Sequence, residues 1–406
     1  DVACQRGPAP TLDGLGPLLA AKRFDAVERR LEAYLIDHPE SDQAHLLMAQ
    51  VALEREPQQA RLALDHLSRV RASNRSILAV VKLNEGKAHS GLGDHAKAEA
   101  SWLDALRIDP RVPEAGWALL SLYYIEGRRQ EAEQLGLALH GVEPDPRDRA
   151  QLLLELVRQD AQPIVPADIV RSLEPGVLEH PDDLPGTVAL ARAYFGDGRY
   201  DESLDLVRRL VDRHPNDPDA WDALLRELDD MARSDEFVEA MAKLPSSFAH
   251  DDRFARFVGI IAQNRREWPA AVEAFERARR FDPIDSKSLY RLGRAYRLAG
   301  REDDAKRAEA DFRDSEAARL EMLPLYREAG TIQGFGSTPS PDLDRRIAQA
   351  RERIGYRAEA LAWYRLVLRD QPNDPNAKAA PARLADAKPP TLDEVLAKMG
   401  RGAATR

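Results

Sequence analysis

A 34-residue spacing of glycines and prolines constrains this chain more than any other feature. Gly93 is followed by Gly127 after 34 residues, and Gly198 and Gly300 are 102 residues apart, which is three such intervals. Two pairs of prolines share the spacing: Pro110 with Pro144, and Pro181 with Pro215. Because glycine favours turns and proline cannot continue a helix, the spacing predicts one short structural unit repeated along the chain.

The repeated unit is clearest between Ala79 and Pro110, where two amphipathic helical patterns flank a turn at Gly93. The apolar residues of the second pattern lie at positions i, i+4, i+7 and i+8, which is typical of a buried helical face. These residues are Ala98, Trp102, Ala105 and Leu106. One pair of short helices buries too little apolar surface to be stable alone, so the pairs are expected to stack on one another.

Helix pairs with this period, and with small and large apolar residues at fixed positions, resemble the tetratricopeptide repeat family. The resemblance extends over nearly the whole chain and corresponds to about ten repeats. It implies an all-α fold, a right-handed α-α superhelix or solenoid. In this family the first helix of each pair lines the concave wall, and partners usually bind there as extended peptides or helices.

The spacing divides the chain into five segments. We expect a flexible N-terminal segment at 1–10, repeats 1–9 of the solenoid at 11–328, and a Gly/Ser/Pro-rich loop at 329–341. A last helix pair is expected at 342–380, followed by a tail at 381–406. Residues Thr391 to Glu394 form a capping-box pattern, which predicts a short capping helix in the tail.

Composition excludes several classes of protein. The 406 residues carry a formal net charge of −10, which argues against nucleic acid as a general partner. No apolar run reaches the roughly 18–20 residues that a membrane-spanning helix needs, so membrane association would require a partner or a missing N-terminus. The single cysteine, Cys4, excludes an intrachain disulfide and any CxxC motif.

The compartment is left open by the residues. The sequence begins with Asp1 rather than methionine, and Asp-Val-Ala-Cys weakly resembles the end of a bacterial lipoprotein signal. In that case Cys4 would carry lipid and the protein would be exported, for example to a bacterial periplasm. Otherwise Cys4 is a free thiol near a loose terminus and the protein is cytoplasmic.

The sequence contains none of the common catalytic motifs. GxSxG, GxxxxGK[ST], HExxH and a GxGxxG following a strand are all missing, and the nine histidines are scattered. We therefore expect no enzyme activity, no cofactor and no metal site.

The inward positions of the family's first helix select the candidate binding residues. In the eighth to tenth repeats they form a basic wall: Arg253, Arg256, Asn264, Lys287, Tyr290, Arg294, Arg297, Arg345 and Arg353. In earlier repeats they include three aromatic residues: Trp117, Tyr124 and Phe195. The seventh repeat is acidic at these positions, with Asp219, Asp222, Asp229 and Asp230.

Arginine binds carboxylates through two parallel hydrogen bonds, so the basic wall predicts a partner protein with an acidic segment or a free C-terminus. The alternating Asn and Lys positions of the chaperone-binding subgroup's carboxylate clamp are not reproduced, so that particular assignment is not made. The opposite interpretation is that the wall's arginines pair with nearby Asp and Glu residues of the same chain.

These features predict a non-catalytic scaffold or adaptor that binds a partner segment on its concave surface. Two alternatives remain open. The chain could be an accessory subunit that positions a catalytic or membrane-bound partner, or it could bind an anionic polymer or glycan in the basic groove.

Overall fold

The computed structural model describes residues 12–55, 59–71, 73–248, 250–332 and 340–404. Within these ranges the chain forms 22 α-helices and no β-strand, which confirms the all-α class built from consecutive helix pairs. The expected flexible segment 1–10, Cys4 and residues 333–339 of the expected loop lie outside the described residues.

The helices follow one another with short connections. In chain order they are α1 (Leu15–Ala20), α2 (Phe24–Asp37), α3 (Asp42–Arg55), α4 (Ala60–Ser68), α5 (Arg75–Gly91), α6 (His95–Ile108), α7 (Pro113–Ile125), α8 (Arg129–Val142), α9 (Pro146–Ala161), α10 (Pro166–Glu179), α11 (Leu184–Gly196), α12 (Tyr200–Arg213), α13 (Pro218–Asp230), α14 (Ser234–Lys243), α15 (Ala255–Asn264), α16 (Trp268–Phe281), α17 (Ser286–Leu298), α18 (Glu302–Ile332), α19 (Pro341–Ile354), α20 (Arg357–Asp370), α21 (Pro375–Arg383) and α22 (Leu392–Ala404). From α5 to α20 the odd-numbered helix is the first of each pair.

The helices form two compact units. Unit 1 contains the chain up to Leu122, together with Arg171–Gly186 and the chain from Leu396 onward. Unit 2 contains Tyr123–Val170 and Thr187–Val395.

The pair α5–α6 of unit 1 shows how the repeated residues produce the local fold. Gly93 forms the turn with a φ of 74°, a conformation that glycine adopts without strain. A Cβ atom on Gly86 would lie only 2.3 Å from Nε1 of Trp102, so only glycine lets the indole pack this closely. Trp102 Nε1 donates a hydrogen bond to the carbonyl oxygen of Leu83 at 3.2 Å. The predicted apolar face of α6 is buried at every position.

Unit 1 also joins segments that are distant in sequence. The turn at Gly93 packs against Gly176 of α10, since a Cβ on Gly93 would lie 2.6 Å from the Gly176 Cα. Arg107 Nη2 donates to the carbonyl oxygen of Leu396 in α22 at 3.1 Å.

The capping box at the start of α22 is reciprocal. The Thr391 backbone N–H donates to the Glu394 carboxylate at 2.8 Å, and the Glu394 N–H donates to the Thr391 hydroxyl at 3.3 Å. The helix therefore begins at the capping box, as the sequence pattern predicts.

In unit 2, α18 is 31 residues long and continues to Ile332, beyond residue 328, the expected end of the ninth repeat. Residues 329–332, which were expected in the loop, are therefore helical. The physical reason is a continuous apolar face along the second half of α18, which packs against α19 and α9. Its buried members are Ala318, Met322, Leu325 and Ala329.

A buried cluster of charges connects the two ends of unit 2. Arg351 of α19 is 0% exposed, and its Nε lies 2.6 Å from Oε1 of Glu359, which is also 0% exposed. The same guanidinium pairs with Asp160 and donates to the carbonyl oxygen of Leu156 at 2.9 Å, both on α9. Arg129 of α8 lies 3.1 Å from Glu359. The helix pair α19–α20 therefore packs on α8 and α9, about 190 residues earlier in the chain.

Candidate functional site

The first helices of three successive pairs, α13, α15 and α17, form one face of unit 2, which we call the inner wall. Lys287 Nζ of α17 lies 2.5 Å from Oδ1 of Asp230 on α13. Arg291 Nη2 of α17 lies 2.8 Å from Oδ1 of Asp229. These partners are 57 and 62 residues apart and meet across α15. Side chains can meet over an intervening helix when the face curves inward, so the inner wall is concave.

The acidic residues of α13 pair with two cations of the predicted basic wall, Arg253 and Lys287, and with two further arginines, Arg226 and Arg291. Arg253 Nη1 lies 2.5 Å from Oδ1 of Asp219, and Arg226 Nε lies 2.5 Å from Oδ2 of Asp222. All four predicted aspartates of α13 are therefore ion-paired. The sequence contained a sign of this pairing, because Asp219 and Arg253 are 34 residues apart and occupy the same position in successive repeats.

Arg256 lies inside the wall rather than on its surface. Its residue is 5% exposed, its Nη1 lies 3.5 Å from Oδ2 of Asp285, and its guanidinium lies 4.7 Å from the ring centroid of Phe257. Its Nε and Nη2 have no hydrogen-bond partner among the described residues. Burial lowers the pKa of Arg256, and the nearby charge of Arg226 lowers it further. Its charge is therefore shielded from a partner in this conformation.

Three of the predicted residues are exposed on the inner wall and take no part in the ion pairs found among the described residues. Tyr290 is 58% exposed and its ring lies 5.6 Å from that of Phe312. Asn264 ends α15 in an exposed position. Arg294 is exposed on α17 and makes no ion pair with any residue in the described ranges. These three side chains are accessible to a partner.

The remaining predicted cations are ion-paired near α18 and α19. Arg297 pairs with Glu309, Arg345 with Asp342 and Asp374, and Arg353 with Asp314 and Glu321. Arg353 also lines a groove of about 750 Å³ between α18 and the helices α19 to α21. The exposed Leu320 and Pro324 form the apolar part of this groove.

The three predicted aromatic residues are divided between the units. Trp117 is half-buried on α7 in unit 1. In unit 2, the guanidinium of Arg158 lies 4.1 Å from the ring centroid of Tyr124, whose hydroxyl donates to the Gln162 carbonyl oxygen. Burial raises the pKa of Tyr124. Phe195 is half-buried, with its ring 5.2 Å from that of Tyr200.

Neither a metal site nor a membrane-spanning helix is found among the described residues. No three His, Cys, Asp or Glu side chains in those ranges are arranged to hold a metal ion. Across the same ranges, every helix is too short or too polar to cross a bilayer.

Stacked helix pairs with an ion-paired concave wall define a repeat protein whose surface is suited to binding another chain. Family models described as tetratricopeptide repeat match residues 83–148, 185–227 and 259–311. The resemblance predicted from the 34-residue period is therefore confirmed, and these three ranges of the chain carry tetratricopeptide repeats. Such repeats form scaffolds for protein interactions.

One similar protein is cellulose synthase operon protein C of Pseudomonas fluorescens (strain SBW25). It is 29% identical over 131 residues, which cover 30% of this chain and 10% of that protein. The match thus spans about a tenth of the length of that relative.

Three solved structures show a likeness to this chain. The human IFIT1 dimer with m7Gppp-AAAA is 15% identical, with a TM-score of 0.35 and coverage of 90% of this chain and 94% of that chain. The Cut9–Hcn1 hetero-tetramer of the APC/C is 14% identical, with a TM-score of 0.29 and coverage of 91% and 94%. The P58(IPK) TPR domain is 15% identical, with a TM-score of 0.24 and coverage of 92% and 95%. At these values the likeness bears on neither the partner nor the site.

Proposed function

We propose that this chain is a non-catalytic scaffold that binds an acidic segment of a partner protein on the inner wall of unit 2. The observation that carries the proposal is the exposed pair Tyr290 and Arg294 on α17. Tyr290 supplies an accessible aromatic surface, and Arg294 supplies a cation without an ion-pair partner in the described part of the chain. Aromatic and arginine side chains are the residues that contribute most to protein interfaces.

The ion pairs around these two residues are compatible with binding. Lys287 and Asp230 retain 54% and 30% of their side-chain exposure, and ion pairs of this kind contribute about 0–1 kcal/mol each. A partner carboxylate can therefore replace an aspartate of α13 at little energetic cost. A prearranged wall of helices also loses little conformational entropy on binding.

The test compares charge reversal on the inner wall with charge reversal elsewhere. Arg294→Glu places a negative charge beside Tyr290, whereas Arg280→Glu changes an exposed arginine on α16, the second helix of its pair. Partner proteins are captured from native extract on wild type and both variants and quantified by mass spectrometry. We expect one partner to be retained by wild type and Arg280→Glu and lost by Arg294→Glu. Equal capture by all three chains would overturn the proposal.

The alternative is an accessory subunit that positions a catalytic or membrane-bound partner. The 131-residue similarity to a protein of a cellulose synthase operon favours this alternative. It predicts that the captured partner is an enzyme subunit whose activity changes when the chain is removed. A partner without enzyme activity would favour the general scaffold.

A further inference from the structure

A column of arginines recurs at 34-residue intervals along the first helices of unit 2. Its positions are Tyr124 on α7, Arg158 on α9, Arg192 on α11, Arg226 on α13, Ile260 on α15 and Arg294 on α17. All six positions belong to unit 2. Residues at one repeat position line up along the stacked helices, so these side chains form successive steps on one face.

Contacts between neighbouring steps support this alignment. The guanidinium of Arg158 lies 4.1 Å from the ring centroid of Tyr124 one step before it. Arg192 is close enough to Arg226 for the two positive charges to interact, and this repulsion lowers the pKa of Arg192. The larger cause of that lowered pKa is desolvation by surrounding protein, although the side chain is exposed.

The charges of the column are unevenly compensated. Arg158 pairs with Glu155, and Arg226 with Asp222, in each case within its own helix. Arg192 and Arg294 make no ion pair with the described residues. Arg192 experiences the like charge of Arg226, which Asp222, Glu227 and Glu131 offset only in part, and an anionic ligand would offset the remainder.

We propose that the arginine column binds an extended acidic segment whose Asp or Glu side chains recur at every third residue. This proposal rests on the proposed function and adds the spacing that the partner's charges must have. Packed helices are about 10 Å apart, and three residues of extended chain also span about 10 Å. Ile260 interrupts the column. It is 5% exposed and belongs to the core, so the ligand is expected to carry no charge at the corresponding step.

Carboxylates fit this column better than a continuous polyanion. Each arginine presents a planar fork that accepts one carboxylate through two hydrogen bonds. The chain as a whole carries a net charge of −10, which repels a ligand of high charge density at longer range. A peptide with separated carboxylates places its charges only at the steps that can receive them.

The proposal is tested with two labelled synthetic peptides of identical composition. In the spaced peptide, Glu occupies every third position, with an uncharged Gln at the step of Ile260. In the shuffled peptide the Glu residues are contiguous. Binding to the full chain is measured by fluorescence anisotropy at about 150 mM salt, where long-range attraction is largely screened.

We expect the spaced peptide to bind at least about tenfold more tightly than the shuffled one, and Arg192→Gln and Arg294→Gln each to weaken it by about three- to tenfold. Arg280→Gln, the exposed control on α16, should bind like wild type. Equal affinity for both peptides, no binding of either, or displacement by an equal charge concentration of polyphosphate would each overturn the proposal. If the peptides fail while Arg294→Glu still loses the captured partner, the spacing is wrong and the proposed function stands.

Discussion

The buried charge cluster of unit 2 predicts a large effect for a single substitution, Arg351→Met. Arg351 is 0% exposed. Its guanidinium forms ion pairs with Glu359 and Asp160 and donates a hydrogen bond to the carbonyl oxygen of Leu156. Methionine fills a similar volume but offers no charge and no donor. Glu359, also 0% exposed, would keep Arg129 at 3.1 Å as its remaining cation.

The magnitude follows from the burial of the abandoned partner. Removing one member of a buried ion pair costs about 3–5 kcal/mol, because the other charge remains out of water with less compensation. We therefore expect Arg351→Met to lower the free energy of unfolding by about 3–5 kcal/mol. The double variant Arg351→Met/Glu359→Gln should recover part of this loss, since it removes the stranded charge.

Equilibrium urea unfolding followed by far-ultraviolet circular dichroism measures the effect. The matched control is Arg353→Met, two residues further along the same helix, whose side chain is 31% exposed in its pairs with Asp314 and Glu321. Pairs of this exposure contribute about 0–1 kcal/mol, so the control should be nearly neutral. A loss below about 1 kcal/mol for Arg351→Met, or a loss equal to the control, would refute the argument that this cluster holds the ends of unit 2 together.

Two further predictions concern burial of a carboxyl group and of a glycine. Asp344 is 1% exposed and burial raises its pKa to about 7, so the folded state binds more protons than the unfolded one above pH 3.8. The contribution of Asp344 to stability should therefore fall as the pH rises from about 4 to about 7. Asp344→Asn should remove that contribution and stabilise the chain at pH 8 by on the order of 2–4 kcal/mol in urea unfolding. Gly86→Ala should lower the free energy of unfolding by about 1–3 kcal/mol, because the added methyl group displaces Trp102. Gly141→Ala should raise the free energy of unfolding by about 0.5–1 kcal/mol, because Gly141 of α8 has open space around it. Thermal unfolding compares the two variants, and equal shifts in melting temperature would contradict the packing argument.

The sequence by itself determined the repeating architecture of this protein. The 34-residue spacing, the turn at Gly93 and the apolar face containing Trp102 all depend on residues close together in the chain. Local geometry decides where such helices begin, turn and end, so the pattern was sufficient. The capping box at Thr391 belongs to the same class of short-range information.

The candidate site was only partly predictable for the same reason. The sequence placed Arg294 and Tyr290 on the first helix of a pair, and both are exposed there. The sequence could not show that Arg256, at an inward position of α15, is buried. It left open the pairing of Lys287 with Asp230 two repeats earlier, because that contact depends on the curvature of the wall.

Only the tertiary structure decided which charges are buried. Arg351 and Arg353 are both arginines in α19, and nothing in their immediate sequence distinguishes them. Arg351 is buried against α9, about 190 residues earlier in the chain, whereas Arg353 remains partly exposed. Burial depends on which distant helix faces meet, and the energy of a charge depends on burial. Local patterns therefore determined the repeated helices of this chain, and long-range packing determined where its free charges lie.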